Sequence, residues 1–280
     1  MLKVASHSRD LGHTALDFQF MLLVYGFLLA ILVSFISYRA HALSKGGAIS
    51  ALFLGTIVFG IGGVQSAVVL LTFFITSSLL SRAFKNLKQS LTEKYSKGEQ
   101  RDAGQVFGNG VLATGFLLFS ALNPESGAGW IGFVASLAAV NADTWATELG
   151  VLDPTGPRLI TNLRKRVEKG TSGGISLVGT LAAFMGSSLI AALAALFGSD
   201  WTLFPIIALA GFAGSLFDSY LGATVQAMYF CPKDQKETEK HPLHTCGTET
   251  VHLRGWKWLT NDWVNFACSA IGVVTALALK

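Results

Sequence analysis

Three acids sit where acids are costly. Asp143 and Glu148 lie in AVNADTWATELG, and Asp218 lies in AGSLFDSYLGATVQ; each continues a long apolar helical stretch. A carboxylate within a membrane helix costs about 2.5–3.5 kcal/mol on insertion scales, so each marks a functional site by default. Glycine-rich and basic segments border similar stretches: Ser44-Lys45-Gly46-Gly47, Asn109-Gly110 and Gly170-Thr171-Ser172-Gly173-Gly174. Carboxylates that can hold a cation, set against amides and cations that can hold phosphate, suit phosphoryl chemistry on a lipid-like substrate.

The elements that must position these groups are membrane helices. The chain has 280 residues, 51% hydrophobic and 14% charged, against about 25% charged in a soluble protein. Phe18 to Ser37 contains one polar amide, Gln19, and about 20 apolar residues suffice to cross a bilayer. The preceding MLKVASHSRDLGHTALDF does not resemble a secretory signal, so this run is read as a helix that stays. The pattern predicts an all-α, polytopic helical bundle with segments near 18–37, 48–63, 65–81, 107–122, 128–148, 175–197, 202–226 and 263–279. The second and third are short, joined near Gly62-Gly63, and would also suit a hairpin that does not fully cross. One integral membrane domain, 1–280, is expected, with 231–254 as a small cytoplasmic lobe.

Charge sets the orientation. Most of the 21 Lys and Arg residues fall in the 38–47, 82–106, 149–174 and 227–262 loops. Cytoplasmic loops carry such an excess. Both termini are then outside, in the cell (cytoplasmic) membrane, with the active face cytoplasmic. Nucleic acid is not an expected partner. Lys85, Lys88 and Lys94 read as the solvated face of an amphipathic helix.

Depth and polarity refine the reading. Counted from Ala128, Asp143 lies about 22 Å along its helix, near the boundary of an apolar layer about 30 Å thick. A transporter's coupling acids are more often near the midplane. The fifth and seventh segments bring their negative helix tails to this boundary, which disfavours Asp143, Glu148 and Asp218 unless a cation corrects it. Magnesium on Asp143 and Asp218 would do so, with Glu148 and Asp262 as further catalytic acids. Salt bridges to loop arginines, or capping of a loop helix, are the plainer alternatives. Asp143-Thr144-Trp145 and Asp218-Ser219-Tyr220 also repeat an acid, hydroxyl, aromatic order.

The even-numbered segments bring positive helix heads to the same face, and such heads bind anions. GTSGG would form a phosphate nest, with Thr171 or Ser172 as cap and donor; it lacks the spacing and lysine of a P-loop. Lys45, Arg101 and Arg158 are phosphate-clamp candidates. Gln105 and Asn109 lie four apart, on one helical face. Asn261, Asp262 and Asn265 crowd the first turn of the last helix. Asn141 and Asn162 would either orient a ligand or bridge helices.

Cys231, His244 and Cys246 suit zinc, with Asp234 or His241 as the fourth ligand. Three cysteines give no disulfide framework. Cys268 sits among apolar residues and reads as core. The histidines lie in loops with no nucleophile elbow, which argues against a Ser-His-Asp hydrolase.

NADTWATELG, PRLITNL, GTSGGISLVGTLAA, GSLFDSYLGATVQ and WLTNDWVNF resemble the transmembrane protein 19 family, and RDAGQVFGNG looks like its amide-rich segment. The resemblance runs from about Lys45 to the C-terminus. The family's plant member is the phytyl-phosphate kinase of tocopherol synthesis. The resemblance implies a multi-pass, CTP-dependent membrane kinase that converts an isoprenyl monophosphate to the diphosphate, which agrees with the magnesium read from the acids. Its partners would be the isoprenyl phosphate, the nucleoside triphosphate and membrane lipid. A cytidylyltransferase-like enzyme acting on a lipid phosphate, and a small-anion transporter, are the alternatives.

Overall fold

The computed structural model describes residues 2–84 and 100–280, with side chains from Gln19 onward. Lys85, Lys88 and Lys94 lie outside the described residues. The described residues form eight helices: α1 (Leu2–Arg39), α2 (Lys45–Ile61), α3 (Gly63–Ala83), α4 (Ala103–Leu122), α5 (Ala128–Gly150), α6 (Leu177–Gly198), α7 (Leu203–Thr224) and α8 (Asn261–Leu279). Six of them are long and apolar enough to cross a membrane: α1 from Gln19, α3, α4, α6, α7 and α8. α2, at 17 residues, is shorter.

α5 is the hub. Every residue from Ile131 to Ala142 is buried, and α3, α4, α6, α7 and α8 all pack on it. Its sequence explains this. AGWIGFVASLAAVNA offers small or apolar side chains on every side, and a helix apolar all round is a buried one. Asn141, Asp143 and Glu148 dilute its hydropathy, which is tolerable because protein rather than lipid surrounds it. Small residues let the neighbours approach closely. A Cβ on Gly211 would stand 2.8 Å from the Ala138 backbone, and one on Gly214 2.7 Å from the Cys268 carbonyl oxygen. By contrast Phe20, Leu28 and Phe35 of α1, and Leu181 and Met185 of α6, are exposed, as a lipid-facing belt requires.

Asn141 is fully buried and bridges three helices. Its Nδ2 donates to the Gly186 carbonyl of α6 at 2.7 Å, and Ser77 of α3 donates to its Oδ1 at 3.4 Å. α3 leaves α2 at Gly62-Gly63, where Gly63 takes φ +64, a backbone conformation open to glycine. It then packs on both α5 and α2.

The all-α expectation needs correction. Two small three-stranded antiparallel sheets fold from the long loops. The first, in the order β2-β1-β3, joins β1 (Arg158–Leu159), β2 (Asn162–Arg166) and β3 (Gly174–Ile175). The second, in the order β5-β4-β6, joins β4 (Met228–Cys231), β5 (Lys236–Thr238) and β6 (Val251–Arg254). Strands of two to five residues are too short to show a period-two pattern. Two helices extend beyond the expected apolar segments, although the apolar span of the first begins at Gln19 as expected. α1 begins at Leu2, and α4 begins at Ala103 because Asp102 accepts from the Gln105 N–H at 3.0 Å as its cap.

Candidate active site

A cavity of about 310 Å³ opens at one end of the bundle, within the usual size range of a small-molecule site, about 300–1,000 Å³. The tails of α5 and α7 supply three of its acids: Asp143, Glu148 and Asp218. The heads of α4, α6 and α8 enter from other sides, bringing Gln105 and Asn109, Ser176 and Thr180, and Asn261 and Asn265. Arg101 and residues 170–174 complete the wall. Acidic tails and positive helix heads thus meet around one space.

On one side lies an Arg101 cluster. The backbone of Arg101 is clamped to the segment before α2: its N–H donates to the Ala42 carbonyl, and its carbonyl accepts from the Ser44 N–H, both at 3.0 Å. The guanidinium lies over the Phe73 and Phe74 rings, 5.3 and 5.5 Å from their centroids. Burial lowers its pKa to about 10 and the charge of Glu148 acts in the opposite sense, so it stays cationic at neutral pH. Glu148 is 7% exposed and accepts from the Ser81 hydroxyl at 2.7 Å.

On the other side, Asp143 and Asp218 feel each other's charge, and both feel Glu239. Asp218 Oδ2 is buried and has no hydrogen-bond partner among the described residues. A relay ties this region to the loops. Ser172 donates to Gln226 Oε1, and Gln226 Nε2 donates to Glu239 Oε1, each at 2.9 Å.

The GTSGG segment is a tight turn against α7. Gly170 and Gly173 have φ +80 and +81. A Cβ on Gly173 would run into Ala223, and one on Gly222 would stand 2.5 Å from Ser172 Oγ. Neither Thr171 nor Ser172 caps the following helix. Strand β3 intervenes, and Ser176 is the cap, accepting from the Gly179 N–H at 3.1 Å. Asp153 supports the same helix head. It accepts from the Thr155 hydroxyl and N–H and from the Val178 N–H, which together hold its carboxyl below the usual range.

Three expected site residues stand outside the cavity lining. Lys45 is exposed at the start of α2, whose head is capped by Ser44. Arg158 is exposed on β1 and donates to the Leu163 carbonyl at 2.8 Å, which occupies it within its own hairpin. Asp262, in the first turn of α8, presses its backbone carbonyl toward Gly108 of α4, leaving no space there for a Cβ. Asn162 is exposed and accepts from the Arg164 N–H.

Several lining residues were missed in the sequence, among them Glu239, Gln226, Ser81, Lys169, Thr144 and Ser219. The last two had a signal, since the repeated acid-hydroxyl order places a hydroxyl beside each aspartate. Glu239 had none, being one of several charges in KDQKETEKH.

A second, almost wholly apolar slot of about 80 Å³ lies among α1, α2, α3 and α4. Leu54, Val58, Phe59, Leu70 and Phe73 line it, and it shares Arg101, Gln105 and Asn109 with the polar cavity.

The fold and site are those of a multi-pass membrane protein with a polar, acid-bearing cavity at one end of its bundle. The chain belongs to the integral membrane protein DUF92 family, which matches residues 28–273. It is 32% identical to Protein PGR of Arabidopsis thaliana, over 87% of this chain and 91% of that one. It is 34% identical to the membrane protein MJ0933 of Methanocaldococcus jannaschii, over 66% of this chain and 75% of the other. It is 25% identical to the chloroplastic protein VTE6 of Arabidopsis thaliana, over 85% and 65% respectively. No solved structure matches it.

Proposed function

We propose that the chain is a prenyl-phosphate kinase, transferring the γ-phosphoryl group of a nucleoside triphosphate, CTP in the first instance, to an isoprenyl monophosphate. The observation that carries this reading is the shared wall of the two pockets. Arg101, Gln105 and Asn109 border both an apolar slot and an acid-bearing polar cavity. An amphiphile would set its anionic head at that junction, with the first part of its hydrocarbon tail in the slot and the rest between the helices. The likeness to VTE6 supports the same substrate class through the family resemblance.

Arg101 would hold the acceptor phosphate where the slot opens, assisted by Gln105 and Asn109. The 170–174 turn and the heads of α6 and α8 would hold the nucleotide phosphates. An acceptor oxygen attacks the γ-phosphorus, and the bond to the β-bridging oxygen breaks. The products are the prenyl diphosphate and the nucleoside diphosphate. The acceptor is already anionic, so no strong base is required. Positioning and charge stabilisation carry most of such catalysis.

Asp143 and Asp218 suit magnesium. The buried Asp218 Oδ2 has no hydrogen-bond partner among the described residues, and the mutual repulsion of the acids asks for a cation. When bound, magnesium neutralises and aligns phosphate oxygens. Glu148 would orient Arg101, while Glu239 would act on the aspartate pair. In this reading the cavity faces the cytoplasm, all eight helices span the cell membrane, and both termini are outside, as the basic loops suggest.

The test is product analysis with the detergent-purified chain, an isoprenyl monophosphate, magnesium and each nucleotide. Nucleoside diphosphate and prenyl diphosphate support the kinase. Pyrophosphate with a nucleotide-linked lipid indicates attack at the α-phosphorus by a cytidylyltransferase-like enzyme. Anion uptake into vesicles without nucleotide, and no product, indicates a transporter.

A further inference from the structure

Outside the cavity, one cluster combines two thiols, an imidazole and a carboxylate. Cys231 ends β4, Asp234 lies in the turn to β5, and His244 and Cys246 lie in the turn before β6. Their ligand atoms all fall within 4.8 Å of one another. The Cys231 and Cys246 sulfurs are 3.5 Å apart, and His244 Nδ1 is 2.8 Å from Asp234 Oδ2. Cys231 is fully buried and His244 is 3% exposed. None of the four lines the polar cavity.

We propose that these four residues form a closed, structural zinc site that clips the β4–β6 lobe together. Tetrahedral zinc holds thiolates at about 2.3 Å, which sets two sulfurs roughly 3.8 Å apart; the observed spacing needs little adjustment. Two soft sulfurs with one imidazole favour zinc over magnesium or calcium. Four protein ligands leave no open coordination position, so the site is structural rather than catalytic. The lobe also needs such a clip. Folding units below about 40 residues generally require a metal, disulfides or a partner, and residues 228–254 have only three short strands to hold them. Binding would release the thiol protons.

The clip reaches the cavity through one residue. β5 ends at Thr238, and the next residue, Glu239, lines the cavity and accepts from Gln226. Fixing the β4–β5 turn and the 244–246 turn therefore fixes Glu239 beside Asp143 and Asp218.

The test is metal analysis of the untagged, detergent-purified full chain from zinc-supplemented cells, followed by exchange with cobalt. The expected result is one zinc per chain, and a cobalt form with thiolate-to-cobalt charge-transfer absorption. Cys231→Ser and Cys246→Ser should lose that absorption, while Cys268→Ser, in the buried α8 core, should keep it. The cobalt spectrum of the wild-type chain tests the site even where the serine variants fold poorly. Folded wild-type protein without zinc and without the cobalt-thiolate band would overturn the proposal. So would a Cys231–Cys246 disulfide in the isolated chain. Neither readout depends on catalytic activity, so the zinc site and the kinase reading stand or fall separately.

Discussion

Asp143, near the tail of α5, and Asp218, near the tail of α7, line one cavity and feel each other's charge. Glu239, from the β lobe, acts on both. Two acids at two negative helix ends, faced by a third from the β lobe, form an arrangement that favours a cation. This arrangement has consequences for both activity and stability.

Asp143→Asn and Asp218→Asn should each lower turnover by at least about 100-fold, the scale of losing one preorganised electrostatic group at a reacting centre. Each should also raise the thermal stability of the magnesium-free protein, because one like charge is removed; such gains often accompany lost function. Turnover assays and thermal unfolding in detergent without magnesium check the pair of effects. Near-normal turnover in either variant would remove its aspartate from the site.

Arg101→Ala should reduce kcat/KM for the prenyl phosphate by about 30-fold or more, corresponding to a buried charge-assisted contact of at least 2 kcal/mol. The fold should survive, because the Ala42 and Ser44 contacts are made by the Arg101 backbone. Arg101→Lys should restore only part of the loss, since lysine lacks the planar fork of donors. Steady-state kinetics with both variants separates these outcomes.

The apolar slot should set tail length. Ala51 lines it, so Ala51→Phe fills part of its volume. Each buried methylene contributes about 0.8 kcal/mol. Losing room for two should therefore raise KM for long-chain prenyl phosphates about tenfold, with short-chain substrates unaffected. An equal effect at every chain length would place the tail elsewhere.

Gly222→Ala should push the 170–174 turn away from α7, because the added Cβ would stand 2.5 Å from Ser172 Oγ and 2.9 Å from the Gly173 nitrogen. Overpacking of this kind costs about 1–3 kcal/mol. The expected outcome is a lower unfolding temperature together with a raised KM for nucleotide. A raised KM for prenyl phosphate alone would contradict the nucleotide role of the turn.

Asp153 gives a pH signature. Its carboxyl is held below the ordinary value of 3.8 by Thr155 and the head of α6. A depressed folded pKa contributes stability that is present above the unfolded value and lost as pH falls through the folded one. The stability gap between wild type and Asp153→Asn should therefore be full near neutrality and close below about pH 4. Thermal unfolding across that window checks the sign.

The helical plan was legible in the sequence because membrane helices need long apolar runs, and each expected segment overlaps an observed helix. The acids were legible for the same reason: a carboxylate in an apolar run is conspicuous. Arg101 stood out because it adjoins an amide-rich stretch, Gln105 and Asn109 because they share one helical face, and Asn261 and Asn265 because they crowd a helix head; all five line the cavity. Glu239 and Gln226 were not found, because their place depends on how a polar loop folds back over the bundle. Neither was the β structure, whose strands are too short to alternate visibly. The cap of α6 was placed at Thr171 or Ser172 instead of Ser176 because a glycine-rich turn before a helix reads as its cap when an intervening strand is invisible.

The most direct test supplies γ-labelled CTP and an isoprenyl monophosphate to the purified chain in magnesium, and follows the label. The account predicts that label appears in the prenyl diphosphate at the rate CDP forms, and that Asp218→Asn abolishes both while remaining folded. Label released as pyrophosphate, or transfer that persists in Asp218→Asn, would contradict it.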